Sequence, residues 1–159
     1  MRSVKPVLVV GLGNSLVGDD GIGGSVVEWL VRHCAIHDQA DYVPGGSDLL
    51  RMANRCEGRR EVVLIDALLS DAEPGTVSVF REPFDGLDGT WQHAHGPSVV
   101  QEVALLKLSS PALRTTSFVL IGIAVPELRR EATLLAQLPA IAARVGVALA
   151  RHISVPLSP

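Results

Sequence analysis

Three nearly unbroken apolar runs punctuate the chain: Val7 to Val10, Val62 to Ile65 and Phe118 to Val125. Short apolar runs closed by polar or turn residues predict central strands of a parallel sheet, buried on both faces. The segments between them change period. Ile22, Val26, Val27, Leu30, Val31 and Cys34 recur at helical spacing, with Glu28 and Arg32 on the opposite side. Ser98 to Gln101 has the form of a capping box, so a helix is expected to start there and bury Val99, Val103 and Leu106. Leu134 to Ala150 reads as helical too, with Pro139 either kinking it or opening a second helix. Asp41 to Pro44 reads as a short strand, and Thr76 to Phe80 as a clearer one after the turn at Pro74-Gly75. Strands alternating with helices predict an α/β fold: one domain over residues 1–159, a mostly parallel twisted sheet of about five strands, and helices on both faces.

Composition agrees with that picture and excludes some partners. Hydrophobic residues make up 47% and aromatics only 4%, so small aliphatic side chains are expected to fill the core. A net charge of -3 gives no electrostatic footprint for nucleic acid. The chain shows no run near the roughly 18 consecutive apolar residues that span a bilayer, so no membrane is expected as a partner. Arg2 and Lys5 ahead of Val7 to Val10 have the look of a signal peptide, but the apolar run stops at Gly11 and Asn14, as a strand would. Cys34 and Cys56 form no paired motif, and reduced thiols in a cytoplasmic protein are the expectation. Cys34, on the apolar stripe, reads as core, whereas His33, His37 and His152 read as solvated.

Candidate chemistry begins where the first strand empties into Gly11-Leu12-Gly13-Asn14-Ser15-Leu16-Val17-Gly18-Asp19-Asp20-Gly21-Ile22-Gly23. A glycine-rich turn between a first strand and a first helix suggests a dinucleotide site. The spacing fails: Leu16 stands where the third glycine belongs, and two acids stand where pyrophosphate would meet the helix N-terminus. The bland account of Asp19 and Asp20 is a helix cap and a partner for the helix dipole. Asp66 follows Val62 to Ile65 at the carboxyl end of a central strand, the edge where sites form in open α/β sheets. His95 lies in the loop before the capping box, with His93 as a competitor. Two carboxylates and an imidazole suit a borderline divalent ion with open coordination positions, and form an incomplete set for a permanent structural site. All three stand at element ends rather than on an apolar stripe, so they read as surface-like positions.

The stretch from Gly11 to Gly23 resembles the G-x-G-N-x-L-x-x-D-[DE]-G-x-G signature of the [NiFe]-hydrogenase maturation endopeptidases. The similarity continues in order through Gly45-Gly46, Ile65-Asp66-Ala67, His95-Gly96, and Gly122-Ile123 to Pro126-Glu127. The resemblance implies an α/β sheet flanked by helices. It implies an endopeptidase that removes the C-terminal extension of a hydrogenase large-subunit precursor once nickel has been inserted. The metal-contacting and catalytic residues it implies are Asp20, Asp66 and His95, with nickel supplied by the substrate and no organic cofactor. Asp20 replaces a frequent glutamate, one methylene longer, and Ser47-Asp48-Leu49 keeps a hydroxyl after Gly45-Gly46 but lacks a later glycine.

Three functions are compatible with these residues. The first is the metal-assisted endopeptidase, in which one of the two carboxylates, with Asp20 on its loop favoured over Asp66, serves as general base. The second is a nickel-sensing binding module that docks the large subunit without cutting it. The third is a nucleotide-binding enzyme. A serine or cysteine nucleophile has no activating base in the sequence. The protein is expected to hold no tight metal when alone.

Overall fold

The computed structural model describes residues 3–14, 16, 18–34, 38–87, 91–93, 98–127 and 133–153. Six strands are present among these residues: β1 (Val7–Leu12), β2 (Ala40–Gly46), β3 (Glu61–Ser70), β4 (Val77–Arg81), β5 (Trp91–His93) and β6 (Ser117–Val125). Helices α1 (Ile22–His33), α2 (Ala53–Cys56), α3 (Val99–Ser109) and α4 (Leu138–Ile153) connect or cover them. The sheet order is β2-β1-β3-β6-β4, with β5 pairing only the far end of β3. The pairs β1–β2, β1–β3 and β3–β6 are parallel, whereas β4 and β5 are antiparallel additions.

Alternation along the strands explains why helices cover both faces, since successive side chains leave a strand on opposite sides. Val7 and Val9 of β1 join Val63, Ile65, Val119 and Ile121 under α1 and α4. Leu8 and Val10 join Val62, Leu64, Phe118 and Leu120 under α3, Leu49 and Cys56. Ser98 caps α3 through the Gln101 amide, and the Gln101 side chain returns a bond to the Ser98 amide, completing the capping box. Pro139 opens α4 at its second position, where the missing N–H has no intrahelical partner to lose. A 3₁₀ turn, Leu134–Gln137, leads into that helix.

The structure corrects several expectations. The strands run longer than the apolar runs, because β3 continues past Asp66 as far as Ser70. His93, expected in the loop that holds His95, instead belongs to the short strand β5. Cys34 is exposed: it terminates α1 instead of joining the stripe. His152 is buried, not solvated, and its Nε2 meets the Glu61 carboxylate at the start of β3. His33 is exposed and stacks on Trp29, and His37 lies outside the described residues. Residues Leu134–Ile153 form a 20-residue helical stretch with mean hydropathy 1.4, long and apolar enough by length and composition to cross a bilayer. It carries Arg144 and Arg151 and packs Ile141, Val145 and Leu149 into the core beneath the sheet.

Candidate functional site

The strand order reverses between β1 and β3. From β1 the chain passes through α1 to β2 on one side, and from β3 the sheet grows to β6 and β4 on the other. A crevice opens at such a point beyond the carboxyl ends of the parallel strands. The β1–β3 pairing ends at Gly11 opposite Ile65, so Asp66 is the first β3 residue without a β1 neighbour. On its other side it still pairs with Gly122 of β6. Asp66 is therefore fixed by backbone pairing at the mouth of the crevice, inside its strand and not after it.

Asp20 reaches the same place from the β1–α1 connection, in a 3₁₀ turn Gly18–Gly21 that packs against β3. Glycine makes this approach possible. Gly13 has φ 128, and a β-carbon there would lie 1.7 Å from the Asp20 carbonyl oxygen. A β-carbon on Gly23 would stand 2.2 Å from the Ile65 carbonyl oxygen and 2.4 Å from that of Leu12. The start of α1 thus lies directly on the backbone next to Asp66, a separation only glycine permits. Asp20 is 5% exposed and accepts the Asn14 N–H through Oδ2 at 2.8 Å. It is buried, so it is not the surface-like position that its place at an element end suggests.

The adjacent aspartate has a different occupation. Asp19 is 2% exposed; it accepts the Thr133 hydroxyl at 2.5 Å and the Leu134 amide at 2.8 Å. It therefore anchors the entry to α4. Neither acid caps α1, whose N-cap is Gly21 with no side-chain bond.

Electrostatics couples the two site carboxyls. Burial pushes the Asp66 carboxyl up to about 8, and the nearby Asp20 charge adds to the rise; the Ala67 amide opposes it, and the Glu102 charge adds a further contribution. Glu102, in the first turn of α3, is buried and is itself raised by burial and by Asp48, against a bond from the Leu49 amide. Sequence reading passed over Glu102. Its signal was an acid on the stripe Val99, Val103, Leu106, where α3 meets the core.

His95 lies outside the described residues, as do Ser15 and the histidine's immediate neighbours. His93, its competitor, stands in β5 opposite Leu68. Among the described residues no group of three or more His, Cys, Asp or Glu side chains is close enough to hold a metal ion. Asp20 and Asp66 are thus brought together as a pair. The chemistry of that pair fits a cation: burial first, and the Asp20 charge second, raise the Asp66 carboxyl, and a divalent ion would favour its ionised form. A cavity of about 1120 Å³ lies elsewhere, between β4 and α4, with Arg81, Arg144 and Val147 in its wall. None of the site carboxyls lines it, so volume does not mark the chemistry here.

An open α/β sheet with two acids brought together at its switch point defines a class distinct from the dinucleotide folds. Comparison with known proteins narrows the class. The chain is 33% identical over 76 residues to the hydrogenase expression/formation protein HupD of Bradyrhizobium diazoefficiens, covering 48% of this chain and 40% of that one. It is 30% identical over 77 residues to the hydrogenase 2 maturation protease of Escherichia coli, covering 48% and 47%. The matched stretches therefore span less than half the length of these curated relatives. A solved [NiFe] hydrogenase maturation protease HybD from Thermococcus kodakarensis superimposes with a TM-score of 0.74 at 29% identity, covering 94% of this chain and 99% of that one. No protein-family model matches. In sequence over less than half of the chain, and in fold over nearly all of it, this protein is thus similar to hydrogenase maturation proteases.

Proposed function

We propose that this protein is an endopeptidase that removes the C-terminal extension of a [NiFe]-hydrogenase large-subunit precursor after nickel insertion, acting in the cytoplasm. The observation that carries the proposal is the convergence of Asp20 and Asp66 at the switch-point crevice, where burial and the Asp20 charge raise the Asp66 carboxyl. His95 is assigned as the third contact from its place in the sequence, between β5 and the Ser98 cap. Nickel belongs to the substrate in this reading, and on arrival it polarises the scissile carbonyl. A cation docked there would favour the ionised Asp66 carboxyl, offsetting the burial and the Asp20 charge that raise it. Asp20, oriented by the Asn14 amide, serves as general base toward the attacking water.

A chain that offers two carboxylates and one imidazole gains affinity only when the precursor's own ligands complete the shell. Nickel-free precursor therefore presents nothing for the site to grip. Mass spectrometry of co-expressed large subunit tests the proposal: the extension is lost with the wild-type protein and retained with Asp20→Asn, Asp66→Asn or His95→Ala. Equal cutting of nickel-free and nickel-loaded precursor would overturn the nickel reading. A stable complex that keeps its extension would make the protein a binding module and not a peptidase.

A further inference from the structure

We propose that Glu102 is a positioning residue, whose buried carboxyl oxygen fixes the loop leaving β2 against the first turn of α3. The functional consequence rests on the peptidase reading above; the structural one does not. Glu102 is 8% exposed, and its Oε1 accepts the Leu49 N–H at 3.3 Å, joining residues 53 apart in sequence. Leu49 is fully buried and opens a 3₁₀ turn, Leu49–Met52, whose first amides have no acceptor within the turn. Asp48 takes the Leu50 amide at 3.0 Å, and Glu102 takes that of Leu49. Together these two carboxyls satisfy the start of the turn. Burying a carboxyl is unfavourable unless hydrogen bonding compensates, and an apolar residue would continue the Val99, Val103, Leu106 stripe without that penalty. The acid is thus explained by the bond it makes across the fold, not by packing.

The segment so held carries Gly46, with φ 66, Ser47 and Asp48, all at the carboxyl end of β2 and so on the crevice side of the sheet. The Asp48 charge acts on Glu102, and the Glu102 charge acts on Asp66. One side chain therefore stands between the β2 loop, the Asp66 position on β3, and the helix that begins just after the His95 segment. It sets their spacing without being placed on the reacting atoms. Its loss is expected to weaken substrate grip more than the chemical step.

Two substitutions separate reach from charge. Glu102→Asp keeps the charge and shortens the reach by one methylene; Glu102→Gln keeps the reach and an acceptor oxygen and removes the charge. Each is measured in the full chain, by hydrogen exchange at the Leu49 amide and by KM and kcat on nickel-loaded precursor. Glu102→Asp is expected to speed Leu49 exchange and raise KM, each about tenfold, as loss of one buried hydrogen bond dictates, with kcat within about twofold. Glu102→Gln is expected to stay within about twofold of wild type in all three. Wild-type behaviour of Glu102→Asp, or a Glu102→Gln defect as large as that of Glu102→Asp, would overturn the assignment. If wild-type protein cuts no precursor, the peptidase reading fails, and Leu49 exchange still decides the role of Glu102.

Discussion

Raising the pH from 5 to 8 should weaken the metal-free fold through a single carboxyl, that of Asp66. Burial and the Asp20 charge hold this group at about 8 against an ordinary 3.8. In the unfolded chain it is ionised above about pH 4, whereas in the folded chain it keeps its proton until about pH 8. The folded state then binds more protons across that window. Its stability contribution is full below the unfolded value and is lost as pH rises through the folded one. The limiting slope is about 1.4 kcal/mol per pH unit for one proton. Asp66 retains partial exposure, and solvent screening halves the working figure to roughly 0.7 kcal/mol per unit, or about 2 kcal/mol from pH 5 to 8. For a domain of this size that corresponds to a fall in melting temperature of about 4–8 °C. Other groups also titrate in this range, so the comparison is with Asp66→Asn at each pH, in chelator, by calorimetry. The melting temperature of wild type minus that of the variant should fall by this amount between pH 5 and 8. Asp20→Asn should flatten the fall, because it removes the second cause of the raised value. A difference that stays constant across the range would refute the coupling of the two carboxyls.

Gly23→Ala places a β-carbon 2.2 Å from one backbone oxygen and 2.4 Å from another, neither of which can rotate away; a loss of about 1–3 kcal/mol in urea unfolding is expected, and an unchanged midpoint would show that α1 does not rest on β3. Exposed Cys34 should react with a thiol reagent in the native protein, while Cys56, buried and pushed up to about 11, should react only on unfolding; mass mapping of the label distinguishes them. Glu61→Ala leaves the His152 ring in the core without its carboxylate, and its Nδ1 already lacks a hydrogen-bond partner. A stability loss of about 1–3 kcal/mol is expected, measured by thermal unfolding.

Periodicity carried most of the architecture because the central strands are covered on both faces and so read as continuous apolar runs. It failed where tertiary context decided. β5 is three residues long and exists because the end of β3 outruns β1 and leaves a pairing edge. His152 reads as polar and terminal, yet the C-terminal turn of α4 crosses the start of β3, where Glu61 waits. Cys34 falls on the stripe of α1 by spacing, but the helix ends there with Cys34 extended and exposed. At the site, Asp66 was legible because it terminates an apolar run. The separate duties of Asp19 and Asp20 were not, because Asp19 is defined by Thr133 and Leu134, over a hundred residues away. Glu102 was missed for the same reason: its partner, Leu49, belongs to another layer of the fold.

The glycine signature and the acid pair are best understood as one device. In a dinucleotide fold the glycines of this turn leave room for pyrophosphate, and the helix N-terminus meets the anion. Here the room left by the missing β-carbons is filled by the chain itself: Gly13 by the Asp20 carbonyl, Gly11 by that of Gly23, and Gly23 by that of Ile65. The turn is drawn down onto β3, and Asp20 arrives close enough for its charge to act on Asp66. Widening the turn by a β-carbon at any of these positions would separate the carboxyls as well as strain the backbone. The same residue type at nearly the same place thus brings two carboxyls together where a dinucleotide fold would leave room for pyrophosphate.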